Sequence, residues 1–361
     1  MKKTIKGTKR ILVTSAGGYA AVGFCNALKR SKNPYHIVCT DADPLKLPFA
    51  SGDKKYLVPP AGDKNYVDVL NTIIEKNNIE FLHSQQTNEL AYIETVRDKI
   101  KTKLFIPPHR SFEIANDKFK THQELSRHKL PVPQSIFVEE KNDIEKAFKT
   151  IKGPLWFRAI RGSGGKGSLL IKDKNIAEAW VTYWDGFSNF MASAYLPGKN
   201  LGWDCIWKNG ELLASYGKER ISYALGSSSP SGISGTAGVI RPVIRKDIDD
   251  LGKKTILAIE KKPHGAYSVD FKEDANGNPH ITEINPGRFL TSSLVFFAET
   301  GSNLPELHIK AAFNEEKDEH FSYREDLFLI RSLDHTPIIL DKQYFNSIEK
   351  QMGEQGFAEL T

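Results

Sequence analysis

The sequence predicts an α/β protein: a parallel, doubly wound sheet over residues 1–108, then a larger α+β region built on antiparallel strands. Three observations carry this. Strand-like and helical stretches alternate as far as Pro107-Pro108, the pattern of crossover helices on a parallel sheet. The chain opens on a strand, a glycine turn and a helix in "RILVTSAGGYAAVGFCNALKRS". From residue 201 the pattern turns to hairpins, with Asn209-Gly210 between two strand-like runs.

Taken in order, "YHIVCTDAD" and "KKYLVPP" read as the second and third strands. "NYVDVLNTIIEKNNI" reads as a helix, because Val67, Leu70, Ile73 and Ile74 fall on one stripe. "EFLHS" and "KLFIPP" read as further strands. Beyond the two prolines, "SFEIANDKFKTHQELSRHKLPVP" is mostly helical. "QSIFVEE", "PLWFRAI", "GSLLIK" and "FMASAYL" are strand-like, with helices in "DIEKAFKTI" and "NIAEAWVTYW". "GWDCIWKNGELLASYGKERIS" and "AYSVDFKEDANGNPHITEINPGR" are hairpins, and "LFLIRSL" and "TPIIL" are strands near the end.

Composition narrows the function classes. The chain has 361 residues, 40% of them hydrophobic, which supports packed cores over disorder. The net charge of +6 is interspersed beyond a short basic start, which fits an anionic small-molecule site better than nucleic acid. Cys25, Cys39 and Cys205 have neither paired nor metal-ligand spacing, so a disulfide framework or zinc site is not expected. No apolar run reaches the roughly 18 residues of a spanning helix, and "ILV" is too short for a signal peptide. The expectation is a soluble cytoplasmic protein.

Two glycine-rich loops invite phosphate chemistry. "TSAGGYAAVG" follows a strand and opens a helix, and Asp41 and Asp43 end the next strand, as a ribose-binding acid would. The G-x-G-x-x-G spacing nevertheless fails, which favours a tight packing turn. "RAIRGSGGKGSLLI" lies between two strands and lacks Walker spacing, since Gly167 follows Lys166. It reads as a glycine hairpin whose N–H groups can approach phosphate oxygens, with Arg158, Arg161 and Lys166 beside them. The Gly/Ser-rich stretch 224–238 reads as a mobile substrate loop or a linker.

Asp270 and Glu283 fall on the two arms of the last hairpin, and Asn285 is two residues beyond Glu283 on the same face of its strand. Two carboxylates and an amide oxygen make a hard-oxygen set suited to Mg²⁺ bridging nucleotide phosphates. The ten histidines, among them His83, His109, His264 and His280, show no metal spacing.

These segments, in this order, resemble the ATP-grasp superfamily, most closely the single-copy relatives of the carbamoyl-phosphate synthase large subunit. The motifs are "ILVTSAGG", "ANDKFKTHQELSRHKLPVP", "PLWFRAIRGSGGKGSLLI", "FMASAYLPGKN" and "DFKEDANGNPHITEINPGR", over about residues 10–315. The resemblance implies a Rossmann-like pre-ATP-grasp domain (1–108), a two-lobed ATP-grasp domain (109–320, lid lobe about 134–195) and a C-terminal segment (321–361) completing it. Lys118 and Arg158 match the family's phosphate-binding cations. Gly162, Ser163, Gly164, Gly165, Lys166 and Gly167 match its lid, and Ser193, Ala194, Tyr195 and Leu196 the hinge that reads adenine. Asp270, Glu283 and Asn285 match the metal ligands, and Arg288 the arginine that follows them.

Three departures stand out. Ser193 or Ala194 stands where the hinge glutamate is usual, Asn200 stands in the place of a ribose-contacting glutamate, and Gly287 is an added residue before Arg288. The resemblance implies ATP with Mg²⁺ or Mn²⁺ and phosphoryl transfer to a carboxylate. An amine would then attack the acyl phosphate, with ADP and phosphate released. Lys118, Arg158 and Arg288 would be the catalytic cations, and Arg220 and Arg241 are the candidates for a substrate carboxylate. The partners expected are a small carboxylate and amine and possible homodimer formation, with no nucleic acid or membrane. The alternatives are phosphorylation of bicarbonate or another acceptor, and a nucleotide-binding protein without catalysis.

Overall fold

The computed structural model describes residues 8–162, 164–290, 294–315, 323, 325, 327–330 and 342–360. Strand β1 (Lys9–Thr14) is fully buried from Ile11 to Thr14, as both faces of a parallel sheet are covered. It runs parallel to β2 (Tyr35–Asp41) and β4 (Phe81–Ser84), and β3 (Lys54–Leu57) extends the sheet beyond β2. Helices α1 (Tyr19–Leu28) and α2 (Tyr66–Asn77) make the crossovers. The α2 stripe packs Leu70, Ile73 and Ile74 against Leu12 and Val38. Helix α3 (Thr87–Thr95) has no counterpart in the apolar pattern, because its buried Glu89 is held by hydroxyls. Thr14, Ser15, Ser84 and Tyr66 donate to it at 2.7, 2.8, 2.7 and 2.6 Å.

The β1–α1 glycine turn is a packing turn. A Cβ on Gly17 would run into the Lys46 backbone, and the Gly17 N–H donates to Asp41 Oδ2 at 2.9 Å. Asp41 Oδ1 accepts from the Asp43 N–H at 2.9 Å, so this acid ties the turn to the end of β2 instead of facing a ribose. "KLFIPP" forms an isolated bridge, Lys103 to Phe81, and not a strand; Pro107 and Pro108 have no N–H to continue a ladder.

Helices α4 (His109–Ala115) and α5 (Lys118–Arg127) lead into the next lobe. Asp117 caps α5, accepting from the N–H groups of Phe119 and Lys120 at 3.0 Å each, and so sets Lys118 at the first helical position. The lobe is an antiparallel sheet in the order β5 (Ser135–Val138), β8 (Phe190–Ala194), β6 (Leu155–Ala159), β7 (Leu169–Ile171). Helices α6 (Lys141–Thr150) and α7 (Lys174–Tyr183) cover it through Ile144, Ala147, Ala177 and Val181.

The largest sheet runs β13 (Pro279–Pro286), β12 (Gly265–Glu273), β9 (Asn200–Lys208), β10 (Glu211–Tyr223), β11 (Ala237–Val243), β14 (Leu329–Ile330). One face carries Trp203, Trp207, Tyr267, Val269 and Phe271 against α5 and α8 (Lys246–Ile259). The other face is graded along the strands. At one end Ile206, Ala214, Tyr216 and Ala266 share a core with α1, α9 (Leu294–Thr300) and α10 (Leu304–Ala312). Buried polar groups come next, Asp204 and Ser268 at matching register, then the charged residues of the site.

The C-terminal segment divides. β14 joins β11, but β15 (Ala358–Leu360) pairs antiparallel with β3, and α11 (Lys342–Gln355) sends Ile348 into the core shared with β1 and α1. The end of the chain therefore returns to the first sheet instead of completing the second region. The strand expected in "TPIIL" lies outside the described residues. The three cysteines are buried and unbonded. No helix among the described residues is long and apolar enough to cross a membrane.

His83 and His308 are buried between the first sheet and α10, ring centroids 4.9 Å apart, and none of their ring nitrogens has a partner. Burial pushes His83 down to about 3 from its ordinary 6.5 and lowers His308 as well. With the folded value depressed, the unfolded chain binds more protons below pH 6.5, so stability falls on acidification between 6.5 and about 3. His83→Phe, which keeps the stack on Phe24, should flatten that acid limb in urea melts at stepped pH; an unaltered slope would assign it elsewhere.

Candidate active site

Asp270 and Glu283 sit directly opposite each other on β12 and β13, with Asn285 two pairs further along, opposite Ser268. The register holds because β13 bulges at Thr282: Phe271 pairs with Ile281, not with Thr282. The bulge has a second use. The Thr282 carbonyl accepts from Arg158 Nη2 at 2.8 Å, which anchors an arginine of the lid lobe to the largest sheet. Across the same face the row continues through Gly202 to Lys218, with Arg220 two residues on. Gly202 makes the space: a Cβ there would come within 3.0 Å of Leu290 and 3.3 Å of both Arg220 and Lys218.

Each oxygen ligand expected from the sequence has a cation beside it. Arg220 pairs with Asp270 in a nearly buried ion pair, Lys118 Nζ lies 3.6 Å from Glu283, and Arg288 Nη2 donates to Asn285 Oδ1. The added glycine produces the last contact. Gly287 has φ +79°, and this turn brings Arg288 back over its own strand. Burial lowers the pKa of Arg158 and of Arg288 from the usual guanidinium value, with Glu283 and Asp270 opposing the shift in both. The Nε–H groups of both arginines are buried without a partner. Two unsatisfied cationic donors beside a hard-oxygen set fit a polyanion held with a divalent cation. Among the described residues no cluster of three His, Cys, Asp or Glu side chains forms a metal site; the ligand set expected from the sequence is two carboxylates and an amide.

The lid is built from glycines with positive φ at 162, 164, 165 and 167. Its root is fixed by Trp180 Nε1, which donates to the Gly167 carbonyl at 2.9 Å, and by Lys118 Nζ, which donates to the Gly162 carbonyl at 2.8 Å. Lys166 is exposed at the tip, Arg161 pairs with the capping Asp117 at 3.4 Å, and Ser163 lies outside the described residues. The lid meets the 224–238 loop glycine to glycine: a Cβ on Gly235 would lie 2.6 Å from Gly164 Cα, and one on Gly165 2.8 Å from the Ile233 carbonyl.

At the hinge, Ser193 is buried with Oγ 3.0 Å from Ser135 Oγ, Leu196 is buried, and Tyr195 stacks on Trp156. Ala194 ends β8, and Asn200 stands on the site face between Arg220 and Lys272. Arg241 is the exception. It pairs with Glu219 at 2.7 Å across β10 and β11, one residue out of phase with Arg220, so it faces the other side of the sheet. The expected partnership of Arg220 and Arg241 at one substrate group is therefore withdrawn for Arg241.

Sequence reasoning missed Lys218, Lys272 and His122. Lys218 and Lys272 lie two residues from Arg220 and Asp270 on the same strands, so the period-two rule applied to the proposed ligands would have found both. Burial of His122 beside Arg158 has no signal in the sequence pattern.

Comparison with known proteins bears on the domains and the fold. Residues 11–105 match the family model of the PylC-like N-terminal domain and residues 115–292 that of the ATP-grasp domain. A probable alpha-L-glutamate ligase of Rhodopirellula baltica is 33% identical over 68 residues, 19% of this chain and 17% of that protein. A glutamate–LysW ligase (ArgX) of Sulfurisphaera tokodaii is 26% identical over 184 residues, 48% of this chain and 60% of that protein. The chain thus spans less than two thirds of the length of these curated relatives. Among solved structures, the biotin carboxylase domain of Hydrogenobacter thermophilus 2-oxoglutarate carboxylase superposes with a TM-score of 0.67 at 15% identity, covering 89% of this chain and 73% of that one. The chain therefore carries an ATP-grasp domain preceded by a PylC-like N-terminal domain.

Proposed function

We propose that the chain is an ATP-dependent carboxylate–amine ligase working through an acyl phosphate. The observation that carries this reading is the buried, partnerless Nε–H of Arg158 and of Arg288 above the paired carboxylates Asp270 and Glu283. Asp270, Glu283 and Asn285 would hold Mg²⁺, which would supply positive charge to offset that of the phosphates. Arg158, fixed by Thr282, and Arg288, fixed by Asn285, donate to the phosphoryl group as negative charge shifts toward the ADP side. Lys118 holds the lid root and faces the same group, and the lid glycines bring N–H groups to the phosphates. Gly164, Gly165, Lys166 and Gly167 cover the triphosphate, and Ser193 to Leu196, with Asn200, border the base and ribose. Arg220 receives the substrate carboxylate. Closure of the lid on the 224–238 loop keeps water from the acyl phosphate until the amine attacks.

Both curated relatives are named as glutamate ligases, which supports testing amino acids first, both as the carboxylate and as the amine. ADP and phosphate release across a panel of amino acids and amines tests the reading. Release that requires both an acid and an amine is the expected result; release with bicarbonate alone would replace the acceptor. One observation favours a second reading, a nucleotide-binding protein without transfer: every expected metal ligand already has a cation beside it. ATP binding with no ADP from any pair would select that reading.

The two-loop closure gives its own prediction. Gly235→Ala places a methyl 2.6 Å from Gly164 Cα at φ +74°. Loss of close approach should lower kcat/KM for ATP by about 10- to 100-fold with the melting temperature nearly unchanged. Wild-type kinetics in this variant would mean that the loops need not meet.

A further inference from the structure

His122 is buried on α5 between the hinge and Arg158 and bonds to both sides. Its Nδ1 lies 3.0 Å from Ser135 Oγ, and its Nε2 lies 3.3 Å from Arg158 Nη2. Ser135 Oγ is also 2.8 Å from the Pro133 carbonyl and 3.0 Å from Ser193 Oγ. The tautomer follows from counting protons. Ser135 has one hydroxyl proton, and it faces two acceptors, the Pro133 carbonyl and Ser193 Oγ. With that proton so placed, the Ser135 oxygen accepts the Nδ1–H of His122. Nε2 is left with its lone pair toward the guanidinium, and Arg158 Nη2 divides its two protons between Nε2 and the Thr282 carbonyl. Arg158 Nε is then the buried donor left over for a phosphate.

We propose that His122, fixed as the neutral Nδ1–H tautomer by Ser135, is the positioning residue that aims Arg158 at the nucleotide phosphates. The inference rests on the proposed nucleotide site. Neutrality agrees with the surroundings: burial first, and then the charges of Arg158 and Lys118, bring His122 down to about 3 against the pull of the Thr282 carbonyl. The arrangement also gives Ser193 a task at the hinge position where a glutamate is usual. Its oxygen accepts at the far end of a one-directional chain, Arg158 to His122, His122 to Ser135, Ser135 to Pro133 and Ser193. A carboxylate beside Ser135 would draw the Ser135 proton from Pro133 and leave that carbonyl unpaired.

Substitutions at His122 separate this role from packing. The amide oxygen of His122→Gln reaches the Nε2 position and can accept from Arg158, whereas His122→Asn reaches only the Nδ1 position and His122→Leu offers no acceptor. Binding of ATP and of adenosine is measured by calorimetry on the full chain, with melting temperatures recorded alongside. His122→Leu and His122→Asn are expected to weaken ATP binding about tenfold, the effect of one hydrogen bond to a charged group, and to leave adenosine unchanged. His122→Gln should restore ATP binding to within about threefold of the wild type, on the same hydrogen-bond scale. Ser135→Ala, which frees the tautomer without touching Arg158, should fall between them and serves as the test if His122→Leu does not fold. Equal losses for ATP and adenosine, or a His122→Gln variant as weak as His122→Leu, would overturn the proposal. Failure of the wild-type chain to bind ATP would overturn the nucleotide site itself, a distinct outcome.

Discussion

Replacing Glu283 by glutamine is expected to lower ADP formation about a thousandfold, close to 4 kcal/mol of transition-state stabilisation. Glu283 stands opposite Asp270 and faces Lys118, so on the proposed reading its charge would serve both a divalent cation and the cation set. The sign of a second measurement makes the test specific. Glutamine removes one negative charge from a face where Lys118, Arg158 and Arg288 converge, so ADP without Mg²⁺ should bind as tightly as before or more tightly. Dependence of ATP binding on Mg²⁺ should weaken in parallel, and Asp270→Asn should behave in the same way. A Glu283→Gln variant with undiminished turnover would remove Glu283 from the ligand set. One that lost metal-free ADP binding would point to a collapsed cleft.

The largest expected effect on stability belongs to Lys218. Its ammonium lies 2.6 Å from Asp204, and the two side chains are 1% and 0% exposed. Burial lowers the pKa of Lys218, and Asp204 opposes that shift. Asp204 also accepts from the Leu290 N–H at 2.7 Å and from Ser268, while Lys218 donates to the Leu290 carbonyl at 3.0 Å. The pair therefore knits β9, β10 and β12 to the segment that carries Arg288. Lys218→Met leaves a buried carboxylate without its cation and should cost about 3–5 kcal/mol. Neutralising both groups in Asp204→Asn/Lys218→Met should recover most of the loss, since the amide oxygen can still accept from Leu290 and Ser268. Chemical denaturation of the two single variants and the double variant measures the coupling directly. Additive losses would mean that the two charges act separately, against the geometry.

The contrast between Arg220 and Arg241 shows where sequence reading stops. Both arginines fit a substrate carboxylate as residue types, and alternation places each on a face of its own strand. Their relative face depends on how β10 registers with β11, and that register pairs Arg241 with Glu219 and Arg220 with Ile240. In the last hairpin period-two spacing put Glu283 and Asn285 on one side of their strand. The bulge at Thr282 then set Asp270 opposite Glu283, and its carbonyl, which holds Arg158, could not be read from composition.

By itself, then, the sequence determined what depends on neighbours within a few residues. The parallel sheet with its crossover helices, the hairpins, the glycine lid between two strands and the order of the ligand residues all follow from local period and turn chemistry. Tertiary structure decided what depends on contacts between distant segments. It returned the last helix and strand to the first sheet, gave Asp41 to the glycine turn, and buried Lys218 on Asp204. It also set His122 between Ser135 and Arg158 and laid Gly164 against Gly235. The physical reason is common to these cases. A charge, a hydroxyl or a missing Cβ acquires its role from the group placed opposite it, and that group comes from another part of the chain.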